Sequence, residues 1–324
     1  MTGHPFTSSL AKQMKRFVEL RSLSGTDYRA QRSMLTRFDR FLTEHGFTAQ
    51  YMTQEAYEAY VATLSHLHRR YRSNQCSVIR QLAVYASQSE PRCYIPEPVP
   101  AGSSQDDWRP HIFSGDQIRD LLSAASRLEH GWIRPHVFRV LFGLIYTTGM
   151  RIGEALALNI GDFYPEQLRL HVRRGKFGKA RWVPVSRSTG RVLEEYLALR
   201  VQAVTKEAGP PPLFISTLGK RLARCTAEIV FPKLLGQCGI RGTSRRAPRI
   251  HDLRHTFAVH RLLEWYRDGQ DVNARLPWLA TYMGHVNISS TQIYIQATPE
   301  LHQCANERFL NFVRTHGITG GNLR

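Results

Sequence analysis

Arg249-Ile250-His251-Asp252-Leu253-Arg254-His255-Thr256-Phe257-Ala258 opens the stretch around which the chain is organised, and Gly284-His285-Val286-Asn287-Ile288-Ser289-Ser290-Thr291-Gln292-Ile293-Tyr294 closes it. His251 and Arg254 are three apart in a helical pattern, so they share a face. An arginine clamps phosphate oxygens with two parallel bonds, a histidine moves protons near neutral pH, and a tyrosine can attack covalently. Together they point to chemistry on a phosphodiester. Breaking a phosphodiester without water or metal needs cations for the charge on the non-bridging oxygens, a nucleophile, and a proton donor for the leaving oxygen. A free tyrosine is ionised only about one part in a thousand at pH 7, at a cost of roughly 4 kcal/mol, so it needs a base or a cationic pocket.

Upstream segments offer the missing parts. Thr147-Thr148-Gly149 ends an almost wholly apolar run from Val137 to Tyr146, and Arg151-Ile152-Gly153-Glu154 begins a short helix whose N-terminal dipole favours an anion. Leu168–Val172 and Arg181–Val185 alternate as strands and flank Gly175-Lys176-Phe177-Gly178-Lys179, which predicts a β-hairpin with a lysine at its tip.

Charge and composition bound the rest. The 324 residues carry 44 Lys and Arg against 26 Asp and Glu, a net charge of +18, and this surplus favours polyanions. A hydrophobic share of 42% supports real cores, and the length suggests two domains. Five scattered cysteines, without a Cys-x-x-Cys pair, fit a reducing compartment and offer no zinc framework. His251 and His255 lack the glutamate of a zinc-protease helix, and Arg254 between them would repel a cation, so no metal is expected. No apolar run spans a membrane and no signal-peptide core opens the chain, so a cytoplasmic location is expected.

Residues 1–90 read as a helical domain. Amphipathic helices are expected over 7–22, capped by Thr7 or Ser8, over 27–45 with Gly46 as the stop, from Thr53, and over 71–88. Its outward basic residues, Arg16, Arg69 and Arg70 among them, are candidate phosphate contacts. Residues 91–110 hold five prolines with Gly102, Ser103 and Ser104 and read as a linker. Residues 111–324 form the second domain, with a helix capped by Ser114, helices over 188–205, 224–238, 251–267, 276–283 and 288–294, and a last one over 300–315. Before the central helix, Arg241, Arg245, Arg246 and Arg249 form a basic loop suited to DNA. Trp182 and Trp278 are expected in the core, and Tyr266 and Tyr282 in a core or interface.

With these segments in order, the second domain from about 110 to 310 resembles the tyrosine recombinases of the phage integrase and Xer type. The matching residues are Thr148-Gly149-Met150-Arg151-Ile152-Gly153-Glu154, the Gly175–Arg181 hairpin, His251-Asp252-Leu253-Arg254-His255-Thr256, Gly284-His285, and Tyr294. The first domain resembles, more weakly, the family's core-binding domain. The resemblance implies a mainly α fold with a small β-hairpin or sheet, and an α+β catalytic domain behind the helical one. It implies a site-specific recombinase or integrase that cleaves and rejoins DNA by metal-independent transesterification, with no cofactor.

The implied roles are these. Arg151 and Arg254 hold the phosphate, and His285 donates to a non-bridging oxygen. Lys176 protonates the leaving 5′ oxygen, with Lys179 its competitor because Phe177 stands where glycine is usual. His251 accepts the tyrosine proton or assists that step. Tyr294 forms a 3′-phosphotyrosine. Glu154 supports the cations, and His255 stands behind them. Double-stranded DNA with specific sites is the implied partner, bound by a homotetramer, with accessory DNA-bending or directionality proteins possible. Leu276-Pro277-Trp278-Leu279 resembles the integrases of transposable elements. The apolar C-terminal segment, with Leu301, Phe309, Leu310 and Phe312, could dock on a neighbouring protomer or on its own domain. A type IB topoisomerase and a non-catalytic DNA-binding regulator are the rival readings.

Overall fold

The computed structural model describes residues 6–23, 28–98, 110–173, 175, 180–203, 209–242 and 247–284, with single positions 303, 306, 307 and 310 beyond them. The chain forms two compact units, divided after residue 106. Among the described residues the architecture is mainly helical with one small antiparallel sheet.

The first unit holds α1 (Ala11–Leu23), α2 (Arg29–Glu44), α3 (Gln54–Thr63) and α4 (Arg69–Ser87). Apolar residues at helical spacing face inward: Met14, Phe17 and Val18 on α1; Leu35, Phe38, Phe41 and Leu42 on α2; Val78, Ile79 and Leu82 on α4. The Thr53 side chain accepts from the Ala56 nitrogen and starts α3, while Gly46 takes φ +69° just beyond α2. α1 begins later than its periodicity suggests. The buried Asp39 carboxylate accepts from the nitrogens of Thr7 and Ser8 and from the Ser8 hydroxyl at 2.6 Å, which diverts both candidate caps. The start of the proline-rich stretch is bound to this unit, since Tyr94 N donates to Met52 O and Arg80 Nε to Pro96 O.

The second unit is built on α5 (Gly115–Ser126), α6 (Arg134–Thr148), α7 (Ile152–Ala157), α8 (Arg187–Arg200), α9 (Arg224–Gln237), α10 (Ile250–Arg267) and α11 (Val272–Met283). Ser114 and Gln117 cap α5 reciprocally. α6 is buried on most sides and lies against α5, α8 and α10. Its close is Gly149, at φ +61°, where an added Cβ would meet the Phe257 ring of α10 at 2.4 Å. A second apolar cluster joins Phe257, Val259 and Leu262 of α10 to Val272, Leu276, Leu279 and Met283 of α11.

β1 (Phe163–Tyr164), β2 (Arg169–Val172) and β3 (Arg181–Pro184) form the sheet in that order, with Leu170 opposite Val183 and Val172 opposite Arg181. Trp182 is therefore turned outward, 43% exposed, stacked on His171 with the Arg169 guanidinium over its ring; it is not a core residue. Trp278 is also outside the core, 66% exposed, because Val272, Leu276, Leu279 and Met283 define the inner face of α11 and position 278 falls opposite. α11 also starts earlier than expected, at an Asp271 cap, and runs through Pro277, while α8 stops at Arg200. No described helix is long and apolar enough to cross a membrane.

Candidate active site

Arg151 is the N-cap of α7, two residues past the left-handed Gly149. Its backbone nitrogen donates to Glu154 Oε2 at 2.9 Å, so the carboxylate occupies the N-terminal end of α7, where the helix dipole favours it. The Arg151 guanidinium donates to Glu154 Oε1 at 3.0 Å and to Gly284 O at 3.0 Å, and its side chain remains a quarter exposed.

Glu154 is buried and has a second cation. Arg181, from the start of β3, grips both carboxylate oxygens at 2.9 and 2.7 Å. Burial alone would raise the Glu154 pKa; the Arg181 bonds and charge, with Arg151 behind them, outweigh it and hold the carboxyl down to about 2. Arg181 completes its contacts by donating through Nε to Tyr282 O at 3.2 Å.

Arg254 sits on α10, almost wholly buried. It donates to Gly149 O and, at 2.8 Å, to Met283 O, which Arg151 also approaches at 3.5 Å. Three guanidiniums thus meet the last carbonyls of α11, from Tyr282, Met283 and Gly284. The end of a helix leaves such oxygens without internal partners and carries partial negative charge, so it gathers cations. Gly284, at φ +69°, ends α11 and lies against Arg181; a Cβ there would stand 3.2 Å from Nη1. Among the described residues one carboxylate stands among three guanidiniums, a net positive charge suited to a phosphodiester.

His251 lies one turn before Arg254 and meets the ring of His255 edge-to-face at 4.7 Å. It keeps an exposed edge, yet the packing around its ring, then the charges of Arg254, Arg249 and Arg151, push its pKa down to about 4. It is neutral at pH 7 and able to accept a proton. His255 is buried behind it.

The cluster therefore brings together Arg151, Glu154, His251, Arg254 and His255 from separate parts of the sequence. Lys176, its competitor Lys179, His285 and Tyr294 lie outside the described residues, as do Arg245 and Arg246. Of the other basic candidates, Arg16, Arg69, Arg70 and Arg241 are exposed, and Arg249 caps α10 and pairs with Asp252 at 3.5 Å. Arg181 is the residue that sequence reasoning missed. A signal existed: if Val183 faces inward, so does Arg181, and a cation on the inner face of a strand requires a partner.

Tyr282 is tied into the packing beside the cluster. Its ring stacks on Phe257, its hydroxyl donates to Pro184 O at 3.2 Å, and burial pushes its pKa up to about 12.

Comparison with known proteins bears out the family resemblance. Residues 112–300 match the model of the phage integrase family. The chain is 34% identical over 306 residues to an integrase/recombinase of Sinorhizobium fredii, covering 93% of this chain and 97% of that one. It is 29% identical over 325 residues to the tyrosine recombinase XerC of Roseiflexus castenholzii, covering 93% and 94%. In fold it is similar to the Tn1549 transposon integrase, solved with transposon right-end DNA, with a TM-score of 0.63 and 17% identity over 92% of this chain and 99% of that one. The family match and these relatives show a tyrosine recombinase, an enzyme of site-specific DNA recombination that cleaves and rejoins DNA strands. The chain belongs to the phage integrase family.

Proposed function

We propose that this recombinase cuts each strand with Tyr294 and forms a 3′-phosphotyrosine while the 5′ oxygen leaves. Arg151 and Arg254 hold the scissile phosphate, His285 donates to a non-bridging oxygen, and Lys176 gives its proton to the leaving oxygen. His251 takes the tyrosine proton. At a pKa near 4 it is a weak base in the free protein, and a phosphate anion between the arginines would raise it by offsetting their charge. Glu154 anchors Arg151, and His255 supports His251. Because the phosphotyrosine retains the bond energy, rejoining needs no cofactor.

The observation that carries this reading is the meeting of Arg151 and Arg254 at Met283 O, immediately before Gly284-His285. Both arginines donate there to carbonyl oxygens, which are the acceptor type a phosphate presents. Arg254 is buried, so phosphate capture includes a shift of the α11 end that transfers its donors to the DNA. Residues 1–90 and 111–324 act as two DNA-binding domains joined by residues 91–110. Arg16, Arg69, Arg70, Arg241, Arg245, Arg246 and Arg249 contact backbone phosphates. The protein works in the cytoplasm on the recombination sites of a mobile element, as a tetramer on paired sites, with accessory proteins setting direction.

A nicked suicide duplex tests the chemistry. Wild-type protein becomes covalently joined to the DNA and Tyr294→Phe does not. Trapping by Tyr294→Phe, with loss of trapping in Tyr282→Phe, would overturn the assignment.

A further inference from the structure

Arg181 stands outside the set of roles above, yet it makes more ties within the cluster than a strand residue needs. It reaches both oxygens of Glu154 and the carbonyl of Tyr282, and it borders the space that a Cβ on Gly284 would fill. Glu154 Oε1 accepts from Arg151 and Arg181 together.

We propose that Arg181 is a positioning residue for strand cleavage, holding Glu154 and the end of α11 so that Arg151 presents its guanidinium to the scissile phosphate. The inference rests on the reading of Arg151 as a phosphate clamp. Its physical core is the sharing of one carboxylate. With Arg181 in place, Glu154 is already neutralised by a bidentate partner, and the Arg151 charge is available to an incoming anion. Without Arg181, the buried carboxylate has Arg151 as its sole strong partner from this trio and draws that guanidinium inward, away from DNA. The α11 end also loses a donor at Tyr282 O, three residues before His285 in the sequence. Arg181 further links the hairpin to the phosphate clamp, since it follows Lys176 by five residues and starts β3. Lysine cannot replace it fully, because an ammonium lacks the planar fork that spans two oxygens and a carbonyl at once.

The test compares an ordinary scissile phosphate with a methylphosphonate, in which a methyl group replaces one non-bridging oxygen and removes the negative charge. A neutral centre needs less cationic help, so a defect that acts through the Arg151 charge is repaired by it, whereas a defect of folding or docking is not. The substrate is a nicked duplex carrying the cleavage position read from DNA trapped on the wild-type chain. Single-turnover cleavage and DNA affinity are measured for full-length wild type, Arg181→Gln, Arg181→Lys and Arg151→Ala.

Arg181→Gln is expected to bind within about threefold of wild type. It should cut the phosphodiester on the order of 10- to 100-fold more slowly, less than the roughly 10²–10³-fold expected for a direct donor, and recover most of that loss on the methylphosphonate. Arg181→Lys falls between. Wild-type cleavage by Arg181→Gln, or a defect that the methylphosphonate leaves intact while Arg151→Ala is repaired, overturns the inference. If Arg151→Ala is not repaired, the clamp reading itself fails. Should Arg181→Gln not fold, Arg181→Lys decides: a slowed, methylphosphonate-repaired enzyme supports the proposal, and wild-type cleavage refutes it.

Discussion

Glu154→Gln isolates the electrostatics of the cluster, because the amide keeps the shape and loses the charge. A carboxyl held near 2 when folded and near 4.5 when unfolded favours the folded chain by about 3 kcal/mol at neutral pH. The same order follows from removing one member of a buried ion pair, about 3–5 kcal/mol. The pKa is depressed by folding, so this contribution is complete above 4.5 and is lost as pH falls through 2. At pH 3 about 1.5 kcal/mol of it is left. Urea unfolding followed by tryptophan fluorescence is the appropriate assay. All five tryptophans lie beyond residue 106, so the signal reports the second unit. With a slope of about 1–3 kcal/mol per molar urea, the substitution should move the midpoint down by about 1–3 M at pH 7, and the gap should shrink by about half at pH 3. Equal midpoints at pH 7 would show that the Glu154 charge adds nothing to stability. A gap of unchanged size at pH 3 would show that the loss is one of packing and not of charge.

Three further outcomes are expected. In a histidine-ring NMR titration, His251 should be half protonated near pH 4 in the free protein and move upward when DNA is added; because its folded pKa lies below the ordinary 6.5, acidification from 6.5 towards 4 should also weaken the fold. Gly284→Ala forces a side chain into a left-handed backbone and against the Arg181 guanidinium, so it should lower stability by about 1–2 kcal/mol and slow cleavage, read by thermal unfolding and by covalent trapping. If about ten phosphates are neutralised, log affinity should fall with log salt at a slope near −9 in an anisotropy titration, and a slope near −3 would exclude so broad a footprint.

The helices were legible where local chemistry decides them. Ser114, Gly46 and Gly149 mark ends that the folded chain uses. Arg151 and Glu154, three apart, meet across the N-cap of α7, and His251 with Arg254 was legible because helical spacing alone puts both on one face. Arg181 was not, because its partners lie 27 and 101 residues away, and one of them is a backbone oxygen that has no letter in the sequence. Trp182 and Trp278 were misplaced by size. A large aromatic suggests a core, but strand alternation and the inner face of α11 send both outward. β1, two residues long, is too short for any periodicity. The start of α1 depended on Asp39, a partner some thirty residues away. Lys176, His285 and Tyr294 rest on the sequence and its family.

Gly149 has a consequence that reaches past its own turn. Phe257 rides on its bare Cα, and its carbonyl receives Arg254, so one residue sets how closely α10 approaches the corner between α6 and α7. Arg254 lies one turn before Phe257, and Arg151 lies two residues after Gly149. The glycine is in effect a gauge block for the gap between two guanidiniums. A methyl at 149 would act as a shim, prising the pair apart without touching a charged group, and an activity screen would score it as the loss of an arginine.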